Sequence, residues 1–388
     1  MNARIYADHA ATTPLRPEVL EAMLPYLSDS FNASSVHEEG RRARRVLDAS
    51  RAAIARLLGA QPREIVFTSG GSEADNLAIF GMAQALAARG RHLVTSAIEH
   101  HAVLHATERL RDEGWDITTL AVDRNGFIDP QRFKEALRDD TALVTVMLAN
   151  NEVGTILPIA RLAAIAHERG VLFHTDAVQA PAYLRIDVAE LNVDALSISA
   201  HKFYGPKGVG ALYVRTGTPL RSQLVGGGQE LAKRAGTENV AAIAGMANAL
   251  VLADQDREML VQRLSALRAR FEERISATVP DATINSAGAT RLPHISNVSF
   301  GGIEPHALVM RLDLEGIAAS AGSACAAGAI EPSHVISALY EDRIPGGAVR
   351  FSFGRSSSDE EIERLAGIVR DVVQSLPEAT QERMAGVR

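Results

Sequence analysis

Cysteine is almost missing: Cys325 is the only one in 388 residues. No intrachain disulfide can form, so the fold is not a disulfide framework. A four-ligand structural zinc site would need at least three non-cysteine ligands. Neither HExxH nor CxxC occurs, so no metal is expected. Basic excess is missing as well. The formal net charge is −7, with 47 Asp and Glu against 40 Lys and Arg, whereas a dedicated nucleic-acid binder concentrates Lys and Arg. The local exception, Arg41, Arg42, Arg44 and Arg45, shares a predicted helix with Glu38, Glu39 and Asp48. It reads as a solvated or subunit-facing helix. Long apolar runs are missing too. The best membrane candidate, 240–253, is too short to span a bilayer and is interrupted by Asn248, so it reads as a buried helix. The first eleven residues carry Asp8 and His9 and do not form a secretory signal. The expectation is a cytoplasmic protein with no membrane and no direct nucleic-acid partner.

What the chain does contain is alternation. Between about 64 and 214, strands are predicted at 64–68, 92–96, 143–148, 171–175, 195–199 and 210–214. Several are near-continuous apolar runs, as expected of strands covered on both faces. Helices are predicted between them at 72–89, 101–113, 130–138 and 158–169. This pattern predicts an α/β fold with a mostly parallel sheet. A long amphipathic helix over 253–277 then leads to a last third with strands at 295–300 and 348–353 and helices at 305–314 and 359–376. That third reads as a smaller α+β domain. No repeat, low-complexity stretch or long linker interrupts the chain.

The chemistry-bearing stretches lie at the ends of predicted strands. Thr68-Ser69-Gly70-Gly71-Ser72-Glu73-Ala74-Asp75-Asn76 follows a strand and opens a helix. Two glycines allow close backbone approach, and a helix start offers N–H groups to an anion such as a phosphate. It matches neither Walker A nor GxGxxG. The plain alternative is a helix cap, since Ser72-x-x-Asp75 resembles a capping box. Phe173-His174-Thr175-Asp176-Ala177-Val178-Gln179 is an apolar strand ending in a carboxylate. Ligands bind at such strand ends, and an Asp there can pair with the pyridine nitrogen of pyridoxal phosphate (PLP); a helix N-cap is the alternative. Ser197-Ile198-Ser199-Ala200-His201-Lys202 ends a strand in a lysine lined by apolar residues, placed for Schiff-base chemistry. Lys207, the rival, lies in a Pro-Lys-Gly turn that reads as solvent-facing.

Three further stretches add candidates. In Glu99-His100-His101, His100 can stack on a flat ring and shuttle protons, or be a structural helix-start histidine. Cys325 lies in the small-residue run Ser320-Ala321-Gly322-Ser323-Ala324-Cys325-Ala326-Ala327-Gly328-Ala329. That run reads as a mobile loop and makes the cysteine a candidate nucleophile, although free cysteines are often simply buried. Arg350 alternates with apolar residues on the strand 348–353, where a guanidinium fork can hold a carboxylate.

Taken in order these residues resemble the cysteine desulfurases of the NifS/IscS-like branch, PLP enzymes of the class V aminotransferase family. The likeness also runs through Tyr6-Ala7-Asp8-His9-Ala10-Ala11-Thr12-Thr13-Pro14, Asn32-Ala33-Ser34-Ser35-Val36-His37, Asn150-Asn151-Glu152-Val153-Gly154, Arg234-Ala235-Gly236-Thr237-Glu238-Asn239 and Glu331-Pro332-Ser333-His334. The resemblance implies fold type I. A large domain, 15–255, would carry a mostly parallel seven-stranded sheet; a small α+β domain would comprise 1–14 and 256–388 and include the catalytic-cysteine loop. It implies that Lys202 binds PLP covalently, Asp176 meets the pyridine nitrogen, Gln179 the ring oxygen, and His100 stacks on the ring. Gly71, Ser72, Ser199 and His201 would hold the phosphate, with Thr237 reaching the cofactor of the second subunit in a homodimer. Asn151, also beside the cofactor, and Arg350 would hold the carboxylate of L-cysteine, and Cys325 would receive its sulfur for an acceptor protein. Ala200 stands where the family often has glycine, a strained substitution if that position needs positive φ. Another PLP lyase or aminotransferase would share the cofactor residues without needing Cys325.

Overall fold

The computed structural model describes residues 4–28, 31–322, 333–341 and 343–376. The chain opens with β1 (Ile5–Tyr6), α1 (Pro17–Ser28) and α2 (Glu38–Leu58). Then follow β2 (Ile65–Thr68), α3 (Gly71–Leu86), β3 (His92–Ser96), α4 (His101–Asp112), β4 (Asp116–Leu120), α5 (Pro130–Ala136), β5 (Thr141–Thr145) and α6 (Ile159–Glu168). Next come β6 (Leu172–Asp176), α7 (Val188–Leu191), β7 (Ala195–Ser199), β8 (Gly210–Val214) and α8 (Val240–Thr278). The last part holds β9 (Ala282–Ile284), β10 (Ile295–Phe300), α9 (Pro305–Leu314), β11 (Ile317–Ala318), α10 (His334–Tyr340), β12 (Gly347–Ser352) and α11 (Asp359–Ser375).

The expected α/β architecture is present. Seven strands form one sheet in the order β2-β8-β7-β6-β5-β3-β4. Only β8 runs against its neighbours, β2 and β7. β2, β3, β5, β7 and β8 are buried at every residue, which is why their sequences are near-continuously apolar or β-branched. The chain leaves β3 outward to β4, then returns to β5 and proceeds through β6 to β7. The strand order therefore reverses between β3 and β5, and the crevice at the carboxyl ends of such strands is where a ligand fits. A three-stranded antiparallel sheet, β12-β10-β9, and the parallel pair β1–β11 make up a second sheet region.

Two sequence expectations change. β4, missed in the sequence, is an edge strand of Asp-Ile-Thr-Thr-Leu with one buried residue, so it lacks the apolar signature of its neighbours. The segments 240–253 and 253–277 form one helix, α8, of 39 residues, about 58 Å long at 1.5 Å per residue. They look unlike each other because the first part is buried nearly all round, whereas the second buries one stripe: Leu260, Leu264, Leu267, Phe271 and Ile275. α8 packs against α1, α2 and α11. At Gly245 a Cβ would lie 2.6 Å from Met23 Sδ, so glycine permits the close approach of α1. Among the described residues no helix is long and apolar enough to cross a membrane.

Phe271 fixes α8 to the second sheet region, its ring 4.9 Å from that of Phe351 and 5.5 Å from that of Phe353. It is fully buried. Phe271→Ala is expected to cost about 3–5 kcal/mol through lost burial and an unfilled cavity, read as a lowered denaturant midpoint; a loss below about 1 kcal/mol would mean this contact closes over the gap.

Candidate active site

The loops after β2, β3, β5, β6 and β7 converge with the N-terminal segment and with β12 on a cavity of 230 Å³. Lys202 ends a 3-10 turn that directly follows β7. Its Nζ donates to the carbonyls of Ala10 at 2.6 Å and Ala11 at 2.9 Å. Gln179 Nε2 donates to the same Ala10 carbonyl at 2.9 Å, and His201 Nδ1 meets Thr12 Oγ1 at 3.1 Å. Ala200 is not among the residues with positive φ and opens the 3-10 turn without the strain considered above.

Asp176 is the last residue of β6 and 6% exposed. Its Oδ1 accepts the Val178 N–H at 2.8 Å. Burial pushes its carboxyl upward; that N–H and the charge of Lys202 pull it back. His100 N-caps α4, its Nδ1 accepting from Ala102 N at 3.1 Å, so in the neutral ring the proton sits on Nε2. Burial first, then the Lys202 charge, lowers His100 to about 4. Burial likewise lowers His201 to about 4.

The start of α3 is built for close approach. Gly70 takes φ 155° and supplies no side-chain cap. A Cβ at Gly71 would lie 2.7 Å from Val178 Cγ2 and 3.5 Å from Ser199 Cβ. Ser72 also lines the cavity. The capping-box alternative is overturned: the cap position is Gly70, and Asp75 is turned inward, 1% exposed. Arg350, on β12 and 1% exposed, donates from Nη2 to Asp8 Oδ1 at 2.8 Å and from Nη1 to the Asn151 carbonyl at 2.9 Å. Thr237 is exposed and does not line the cavity of its own chain. Cys325 lies outside the described residues.

Several groups at the site were not singled out in the sequence. Asp8 and the carbonyls of Ala10 and Ala11 belong to the N-terminal motif, whose signal was the motif itself. Glu99, beside His100, is fully buried; its Oε1 accepts from Ser96 Oγ at 2.5 Å and Met147 N at 3.0 Å, and among the described residues Oε2 has no partner. Burial raises it to about 8, the two bonds offsetting part of the rise.

The chain belongs to the class-V aminotransferase family, whose model matches residues 5–365, a family of PLP-dependent enzymes. It is 47% identical to the cysteine desulfurase IscS of Dictyoglomus turgidum over 97% of this chain and 96% of that one. Among solved structures, a NifS-like protein superposes with a TM-score of 0.90 at 33% identity, covering 96% of this chain and 100% of that chain. The structure described as SspA in complex with cysteine gives a TM-score of 0.79 at 40% identity, over 90% and 98% of the two chains.

The residues of this cavity fit PLP. A phosphorylated pyridine needs an amine for its aldehyde, an acid for its ring nitrogen and N–H donors for its phosphate. Lys202, Asp176 and the uncapped start of α3 provide one of each on a single cavity.

Buried groups give the fold a two-sided pH response. His100 and His174, depressed to about 4 and about 3, stay neutral where the unfolded chain takes up protons, so they weaken the fold as pH falls below 6.5. Glu99 acts oppositely: the folded chain keeps a proton that the unfolded chain releases above 4.5, so stability declines as pH rises toward 8. By about pH 7.5 the unfolded histidines have released nearly all their protons, so between there and 8 their effect has faded. In cofactor-free protein, urea unfolding is expected to show a decline there of at most ~1.4 kcal/mol per pH unit from this group, and Glu99→Gln should reduce that slope. An unchanged slope would show that Glu99 is ionised in the fold.

Proposed function

We propose that the protein is a cysteine desulfurase that converts L-cysteine to L-alanine and carries the sulfur as a persulfide on Cys325. The observation that carries the reading is the amine of Lys202, anchored on two backbone carbonyls in the same cavity as buried Asp176. Similarity over nearly the whole chain to a protein named cysteine desulfurase, and to a structure described with cysteine bound, supports the choice of substrate.

When bound, PLP supplies an aldehyde for the amine and an electron-poor ring that stabilises negative charge at the substrate α-carbon. Lys202 would hold the cofactor through Nζ and, as a free amine, would take the α-proton. Asp176 would keep a proton at the pyridine nitrogen. His100 would lie against the ring and, through Nε2, move a proton to or from the substrate sulfur. Gln179 would serve the ring oxygen; Gly71, Ser72, Ser199 and His201 would hold the phosphate. Asn151 and Arg350 hold the substrate carboxylate, Arg350 with a fork already oriented by Asp8. The Cys325 thiolate would attack the substrate sulfur: an S–S bond forms, the carbon–sulfur bond breaks, the β-carbon left behind takes up a proton, and the α-proton returns from Lys202 to complete alanine.

The working form is a homodimer in which Thr237 reaches the second copy's phosphate. Leu20, Leu24 and Leu27 are exposed at i, i+4 and i+7 of α1, on one helix face, as a subunit interface would have them. The sulfur goes on to a cytoplasmic acceptor, a scaffold for iron–sulfur clusters or a thiolation protein.

Lys202→Ala should abolish the visible absorbance of the protein-bound cofactor and its fixation by borohydride; colour that persists and can still be fixed to the chain would place the cofactor on another lysine. Cys325→Ala should bind PLP and respond spectrally to cysteine but form no persulfide, with alanine release falling by orders of magnitude, as when a nucleophile is removed. Wild-type release of alanine and sulfide would instead indicate another PLP lyase.

A further inference from the structure

Asp75 is a buried acid that the proposed chemistry leaves unused. It lies in the second turn of α3, is 1% exposed, and lines the same cavity as Asp176. It caps nothing, since the cap of α3 is Gly70. Among the described residues its Oδ1 has no hydrogen-bond partner. His174 Nε2 stands 3.7 Å from it, beyond hydrogen-bond reach. That ring is already engaged, Nε2 with Ser197 Oγ at 3.0 Å and Nδ1 with Thr145 Oγ1 at 2.9 Å. His174 is also neutral, lowered to about 3 by burial, so it brings no positive charge to Asp75.

The groups facing the pair come from three elements beside α3. Asp176 and His174 lie on β6, Lys202 follows β7, and Glu99 follows β3. The charge of Lys202 acts on Asp176. Asp75 is pushed up by burial and by Asp176, and slightly by Glu99, with Ser197 offering partial relief. Two neighbouring carboxyls out of water do not both ionise. Of the two, Asp176, on which the Lys202 charge acts, is the one favoured as the anion.

We propose that Asp75 is a positioning residue: it stays a neutral acid at pH 7 and, as a hydrogen-bond donor beside Asp176, stabilises the carboxylate that the pyridine nitrogen needs. No proton is transferred. Asp75 acts through Asp176 and touches none of the reacting atoms. The inference deepens the PLP reading of the cavity and rests on it.

The first test needs no cofactor. The infrared difference between cofactor-free wild type and Asp75→Asn at pH 7 should contain a protonated-carboxyl C=O stretch. Its absence would overturn the proposal, and a protonated Glu99 cancels in the subtraction. The second test uses holoenzyme and the pH titration of the cofactor's visible band. Asp75→Asn, uncharged and still a donor, should leave the midpoint within about half a unit. Asp75→Leu, which cannot donate, should lower it by about one unit and weaken PLP binding ~10-fold, the equivalent of that shift. A shift in Asp75→Asn as large as one unit would overturn the proposal by showing that a charge had been removed. If wild-type protein binds no PLP, the reading of the cavity fails, while the infrared result still reports on the Asp75 proton.

Discussion

An amine taken partly out of water at the carboxyl end of a central strand must find acceptors, and at Lys202 these are peptide carbonyls from near the start of the chain. Ala10 and Ala11 precede the lysine by 192 and 191 residues. They reach it because the N-terminal segment is fastened along its length. Ile5 and Tyr6 pair with Ile317 and Ala318, Ala10 N donates to Ser352 Oγ, and the Thr13 hydroxyl bonds the His201 carbonyl and the Tyr204 N–H. Gln179 shares the Ala10 carbonyl with Lys202. One stretch of backbone thus orders two side chains proposed to touch the cofactor.

The ionisable groups around this amine are tuned mainly by burial. His100, His174 and His201 are held neutral by it, while Asp176, Asp75 and Glu99 are pushed toward their protonated forms. Desolvation drives bases and acids alike toward neutrality. The charge that survives belongs where an opposite charge compensates it, and at Asp176 that charge comes from Lys202. A neutral imidazole at His100 suits a proton shuttle, because it can both donate and accept. A fully charged cluster in the same volume would cost far more than its pairings return.

Much of this was legible in the sequence because it lies at strand ends. Asp176, Lys202 and Gly71 each close or follow a run of apolar residues whose strand character is plain, and the strand-helix alternation fixes which edge of the sheet they share. Asp75 was legible only as a residue type. Helix spacing allows it either to cap or to point inward, and the choice depends on Gly70 taking the cap position. Glu99 had no signal of its own beside two histidines. The ion pair of Arg350 with Asp8 spans 342 residues, a distance at which no local pattern operates. α8 was read as two pieces because its surroundings change from a buried environment to a half-exposed one midway, while its backbone does not.

That long-range pair bears on how the carboxylate of an amino acid would be received. Arg350 is buried, and its fork already has Asp8 and the Asn151 carbonyl as partners. A buried guanidinium with no anion would be unstable, so Asp8 stabilises it before substrate arrives and fixes its plane. The incoming carboxylate then meets a donor set that needs little reordering, which lowers the entropic cost of binding. Asp8 sits two residues from Ala10, the acceptor for Lys202. The spacing between the amine proposed to take the α-proton and the arginine proposed to hold the carboxylate is therefore set by one short run of backbone, Asp8 to Ala11. Two groups tied to one short run of backbone have a defined separation, and that is what a substrate as small as cysteine requires of its site.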